Sequence, residues 1–151
     1  MHLIAAKAIC FKEAASPQFT EYSRNVLQNA ADLAEALMEN GYRIVSGGTN
    51  NHQMTLDLSD KQISAKDLES ALETAGITVN ALSTPFDPQA PGSMSGIRIG
   101  TAAVTTRGMG KTEMLRIAHL FHQVVTHIGD TEQLQSIRDD VIELVSEFPT
   151  L

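Results

Sequence analysis

Tyr42-Arg43-Ile44-Val45-Ser46-Gly47-Gly48-Thr49-Asn50-Asn51-His52-Gln53-Met54-Thr55-Leu56-Asp57-Leu58 is the stretch that decides how this chain folds. Residues 42–46 read as a strand. Gly47 to Asn51 is turn-forming by composition. From His52 to Leu58 the apolar Met54, Leu56 and Leu58 recur at period two, the pattern of a second strand with one buried face. Upstream lies a long helical pattern, in which Phe19, Tyr22, Val26, Ala30, Leu33, Ala34 and Leu37 recur at helical spacing. Ser16-Pro17 opens it as N-cap and first helical residue. Asn40-Gly41 closes it, with Gly41 suited to the left-handed position after a helix. Residues 3–14 form a further helix, mostly apolar on one side. Downstream, Ser64 caps a short helix carrying Leu68, Ala71, Leu72 and Ala75, and Gly76 stops it. Ile77-Thr78-Val79 reads as a third strand and Gly96 to Gly100 as a fourth. Between them, Pro85, Pro88, Pro91 and Gly92 make residues 83–95 an irregular loop.

Two helices finish the chain, presenting Met114, Ile117, Ala118, Phe121, Val124, Val125 and Ile128, then Leu134, Ile137, Val141, Leu144, Val145 and Phe148. The second is capped at Asp130, with Gln133 three residues on. Clustered strands among helices predict an α/β chain of the two-layer α+β kind. Its small, mostly antiparallel sheet carries helices on one face and follows one long helix.

The composition narrows the function classes. At 151 residues and 42% hydrophobic, the chain can bury a core of its own. A net charge of −7 gives no electrostatic reason for a nucleic-acid or anionic-membrane partner. No apolar run approaches a membrane span, and the amino terminus lacks the pattern of a signal peptide. The single cysteine, Cys10, lies in the run Ala8-Ile9-Cys10-Phe11 and reads as core filler. One cysteine fits a reducing, cytoplasmic compartment.

Four blocks carry a family resemblance: Met1 to Ala8; Tyr42 to Thr49 with Asn51-His52; Ala75-Gly76-Ile77-Thr78-Val79-Asn80; and Ser95-Gly96-Ile97-Arg98-Ile99-Gly100-Thr101 continuing to Val104-Thr105-Thr106-Arg107-Gly108. In order and spacing they resemble the serine hydroxymethyltransferase family over residues 1–128. The resemblance implies the carboxy-terminal portion of a fold-type I enzyme dependent on pyridoxal phosphate. Residues 1–40 would bridge from the larger cofactor domain, and residues 41–151 would form the small domain. The implied reaction interconverts serine and glycine, passing the one-carbon unit to tetrahydrofolate. Pyridoxal phosphate would serve as electron sink. The family's Schiff-base lysine stands in a Thr-Thr-His-Lys context, which none of Lys7, Lys12, Lys61, Lys66 and Lys111 shares. The resemblance therefore implies that the chain alone is inactive, that a full-length protein dimerises, and that the substrate is a small amino acid.

Arg98 is the leading site residue. Ile97 and Ile99 flank it, so the three alternate across a strand. Gly96 and Gly100 leave room for a ligand or a second backbone to approach. A guanidinium fork binds a carboxylate bidentately, and in the family the matching arginine clamps the substrate carboxylate. The resemblance places folate contacts at Leu82 and at Ala90, Pro91 and Gly92. Leu82 replaces an amide side chain there and Gly92 a phenylalanine. Ala102 stands where the family has proline. A folate-independent aldolase of β-hydroxy amino acids and a non-catalytic stand-alone domain are the alternatives. His52 reads as a structural histidine. His119, His122 and His127 lack the acidic partners of a metal site, so none is expected. Gly108-Met109-Gly110-Lys111-Thr112 ends like a phosphate loop, but Thr105 occupies the motif's first glycine position. It reads instead as a loop feeding a helix.

Overall fold

The computed structural model describes residues 1–85 and 94–149. Helix α1 spans His2–Ala14 and α2 spans Pro17–Glu39. The Ser16 hydroxyl accepts from the Phe19 amide at 3.2 Å, and Pro17 fills the first turn, where its missing N–H costs nothing. At the far end Gly41 adopts φ 81°. Gly41 then donates to the Met38 carbonyl and Tyr42 to the Leu37 carbonyl, a Schellman closure that turns the chain into the sheet.

The sheet holds β1 (Arg43–Ile44), β2 (Gln53–Asp57), β3 (Asn80–Leu82) and β4 (Gly96–Gly100), in the order β1-β2-β4-β3. Every pairing is antiparallel. Helix α3 spans Ala65–Thr74, α4 Ala102–Thr106, α5 Lys111–Thr126 and α6 Thr131–Ser146. The expected class and the one-sided layering are therefore what the chain adopts. Ile44, Met54, Leu56 and Ile97 point into a core shared with Leu33 and Leu37 of α2, Leu68 and Leu72 of α3, and Met114, Phe121 and Val124 of α5. Leu134, Ile137, Val141 and Leu144 of α6 close it from outside. The capping at Asp130 holds, its carboxylate accepting from the Gln133 amide at 3.1 Å.

Several expectations need correction. The third strand is Asn80–Leu82 rather than 77–79. Ile77 is still committed to closing α3, its amide donating to the Leu72 carbonyl at 2.8 Å, so pairing with β4 starts only where Asn80 meets Arg98. Residues 102–106, assigned no element from the pattern, form α4. Cys10 is exposed rather than core-filling. No residue of α1 is buried: Leu3, Ile4, Ile9 and Phe11 are 60–70% exposed, because among the described elements only α2 packs on α1 to any extent. Its apolar residues also circle the helix rather than forming one side. Helix α2 joins the core only from Val26 onward.

Candidate substrate-binding face

Alternation along the strands gives the sheet a second face that no described helix covers. Arg43, Gln53, Thr55, Asp57, Asn80, Leu82 and Arg98 lie on it, opposite the buried set. Arg98 is exposed while its neighbour Ile97 is fully buried, as the strand pattern requires. Its cross-strand neighbours are Thr55 on β2 and Asn80 on β3. Among the described residues Arg98 makes neither a hydrogen bond nor an ion pair, so its guanidinium remains available to a ligand.

A cleft of about 730 Å³ opens on this face. One wall is the β1–β2 connection, with Ser46, Thr49 and Asn51. The floor includes Gln53 and Thr55, and the other wall carries Leu82, Ser83 and Pro85. Its lining residues carry no charge; Arg98 is not among them but stands opposite the lining residue Thr55, on the neighbouring strand β4. Internal hydrogen bonds shape the first wall. The Thr49 hydroxyl donates to the Gln53 carbonyl at 2.6 Å, and the Asn51 carboxamide oxygen accepts from the Gln53 amide at 2.9 Å.

The expected room at the glycines is real at Gly96, but the protein itself fills it. A Cβ there would lie 2.6 Å from the Thr84 methyl and 2.9 Å from the Leu56 carbonyl oxygen. Thr84 and Ser95, both buried, share a 2.7 Å hydroxyl–hydroxyl bond at this crossing. The glycine thus lets the segment after β3 fold down across β4 and become a cleft wall. At Gly100 a Cβ would meet ordinary contact distances.

The other charge on the face is internally paired. Arg43 bonds to Asp57 and to the Ser59 hydroxyl. Burial pushes the Asp57 carboxyl up, but hydrogen bonds from the Ser59 hydroxyl and amide, with the Arg43 guanidinium beside it, outweigh burial and hold it below its ordinary value. Arg98 and Arg43 are therefore not equivalent: among the described residues Arg43 has an acidic partner and Arg98 has none.

Leu82 is half-buried and lines the cleft. Ala90, Pro91 and Gly92 lie outside the described residues. The imidazole of His52 is exposed and without a hydrogen bond among the described residues, which corrects its reading as a satisfied side chain. Only its backbone is structural, accepting from the Thr101 amide at 3.0 Å. His119 is exposed, His122 bonds to the Tyr42 hydroxyl at 2.9 Å, and the His127 ring lies 2.8 Å from the Gln123 carbonyl. Gly110 precedes α5, its amide donating to Glu113 at 2.7 Å, and Lys111 pairs with Asp32 at 3.7 Å. The 108–112 segment is a helix entry, as read from the sequence. Thr49, Asn50 and Asn51 were legible only as turn formers and Ser46 only as the end of a strand, which in fact stops at Ile44. Nothing in their order showed that they line a cleft.

A Schiff base with pyridoxal phosphate needs a lysine at the site. Lys61 donates to the Gly41 carbonyl at 3.1 Å and Lys111 is paired as above. Lys7 and Lys12 lie on α1 and Lys66 on α3. None of the five is among the residues that line the cleft.

Among the described residues, then, the sheet leaves one face bare and carries on it one guanidinium without a hydrogen bond or ion pair. The family model for serine hydroxymethyltransferase matches residues 1–121. The chain is also similar to the serine hydroxymethyltransferase of Desulforapulum autotrophicum, 51% identical over 149 residues. That match covers 99% of this chain and 35% of the relative, so the chain spans about a third of the relative's length. The chain belongs to the serine hydroxymethyltransferase family. Among the described residues no helix is long and apolar enough to cross a membrane.

Proposed function

We propose that this chain is the carboxy-terminal part of a cytoplasmic serine hydroxymethyltransferase, and that Arg98 holds the carboxylate of the amino-acid substrate. The supporting observation is the position of Arg98: exposed at the middle of the bare face, across from the cleft residue Thr55, and without a hydrogen-bond or ion-pair partner among the described residues. A planar fork with two parallel donors fixes a carboxylate in both distance and orientation, which a lysine ammonium does not. The bond to be broken at the substrate's α-carbon is thereby aimed in one direction. Pyridoxal phosphate, the family's general cofactor, would be held by the part of the protein that relatives carry beyond the matched third. That part would also supply the Schiff-base lysine, the dimer surface and the rest of the roof. Residues 1–40 act in this reading as the bridge and residues 41–151 as the small domain.

A second reading keeps the arginine and drops tetrahydrofolate, giving an aldolase of β-hydroxy amino acids. It is favoured by Leu82, whose apolar side chain lines the cleft where the family carries an amide. An apolar side chain there costs a folate ring about 1–3 kcal/mol for a lost polar partner.

The full-length protein separates the readings. Serine cleavage is measured with and without tetrahydrofolate. Strong stimulation supports the transferase and removes the aldolase, and folate-indifferent cleavage does the reverse. Arg98→Lys is expected to raise KM for serine about 30-fold or more, through loss of a bidentate charged contact. Its melting temperature should change little, because Arg98 is exposed and among the described residues has no hydrogen bond or ion pair to lose. An unchanged KM would remove Arg98 from the site. The 151-residue chain alone is expected to turn over no serine, and measurable turnover would refute this division of labour.

A further inference from the structure

The strand that carries Arg98 begins and ends with glycine, so no side chain of its own pins either end. Register matters here, because a slip of one residue against β2 would turn Arg98 into the core. At the first end the crossing of Thr84 over Gly96 holds the strand. At the other end the chain runs into Thr101, which is fully buried. The Thr101 amide donates to the His52 carbonyl at 3.0 Å, continuing the β2–β4 ladder by one bond. Its hydroxyl donates to the Val26 carbonyl of α2, also at 3.0 Å. Its carbonyl accepts from the Thr105 hydroxyl at 2.8 Å. The Thr105 hydroxyl in turn accepts from the Asn29 carboxamide at 2.9 Å, and the same nitrogen donates to the Met109 carbonyl at 2.9 Å. Asn29, Thr101 and Thr105 are all buried. These bonds tie the end of β4 to the long helix and to the turn before α5.

We propose that Thr101 is a positioning residue for Arg98: its buried hydroxyl, held by α2, fixes the register and the end of the arginine's strand. The inference rests on the reading of Arg98 as the carboxylate ligand. Thr101 lies three residues beyond Arg98, about 10 Å along a strand, so it acts through the backbone without touching substrate. Helix α2 thereby becomes the reference against which the guanidinium is placed.

The test uses the full-length enzyme with Thr101→Val, which keeps the shape and removes the donor, and Thr101→Ser, which keeps the donor. Each is assayed on an amino-acid substrate and on its carboxamide, which offers Arg98 no anion. Thr101→Val is expected to raise KM for the acid about tenfold, since a small misplacement of a binding group is felt strongly, with kcat altered less than twofold. The same variant should leave the carboxamide's KM unchanged, and Thr101→Ser should match the parent on both. A parental KM for the acid in Thr101→Val overturns the proposal. Equal losses on acid and carboxamide overturn it too, because they mark a general loss of fold. Should Thr101→Val fail to fold, Thr105→Ala removes the next bond of the chain and is read by the same acid–carboxamide comparison. Arg98→Lys run in parallel keeps the two ideas apart. If it leaves the acid untouched, the reading of Arg98 fails. If it raises KM while Thr101→Val does not, only the positioning role fails.

Discussion

Tyr42 shows how much one side chain joins in this molecule. It ends the turn out of α2, lies edge-on to Phe121 with ring centres 5.4 Å apart, and bonds through its hydroxyl to His122 at 2.9 Å. Burial pushes its phenol from 10.0 up to about 12. The folded state thus keeps a proton that the unfolded chain gives up first. The stability this brings is whole below about pH 10 and is lost as the pH rises through about 12. Tyr42→Phe is expected to cost about 1 kcal/mol at neutral pH, the worth of one buried hydrogen bond. Urea melts of both proteins between pH 7 and pH 11 should show the gap narrowing above pH 10, and a gap that widens there would contradict the assignment. The partner of His122 lies 80 residues away in sequence. A list of histidine spacings holds no trace of such a pair, so His122 was legible only as one of three histidines with no acidic neighbour.

Among the elements, the helix ends were the easiest to read, because caps are local chemistry. Ser16-Pro17, Asn40-Gly41, Gly76 and Asp130 each act where the sequence put them. The strands were less legible, since a strand exists only by virtue of its partner. Ile77-Thr78-Val79 has the stronger β-propensity, yet Asn80–Leu82 is what pairs with β4. The alternation at Ile97-Arg98-Ile99 did fix the face of the arginine. The cleft beside it depends on the Thr84 crossing, a long-range contact that no periodicity records. Gly96→Ala tests that crossing, because the new methyl would sit inside the Thr84 methyl's contact distance and against a backbone carbonyl that cannot step aside. A loss of about 1–3 kcal/mol is expected from such overpacking, measured by thermal or denaturant unfolding. The same substitution at Gly100, with its nearest atom 3.5 Å away, should cost less than half as much. Equal effects at the two glycines would show that the crossing does not constrain the strand.

At the scale of the whole molecule, α1 is the element out of keeping with the rest. A helix apolar on all sides is normally enclosed, and here Leu3, Ile4, Ile9 and Phe11 are exposed together. Phe19 and Leu27 on α2 are exposed as well. Surfaces of that kind drive association, so the 151-residue chain is expected to self-associate as its concentration rises. Leu3→Glu combined with Phe11→Glu should weaken that association without changing the melting temperature of the core. Sedimentation velocity provides the measurement, and a strictly monomeric profile of the parent chain at high concentration would refute the expectation.

The uncovered side of the sheet carries its own consequence for affinity. A ligand gripped, as proposed, by Arg98 below and by another surface above would be mortar between two bricks. Thermodynamic reciprocity then makes the ligand tighten the joint by the same factor by which the joint tightens the ligand. Damage to such a seam would register first as weakened substrate capture, while the sheet beneath stayed intact.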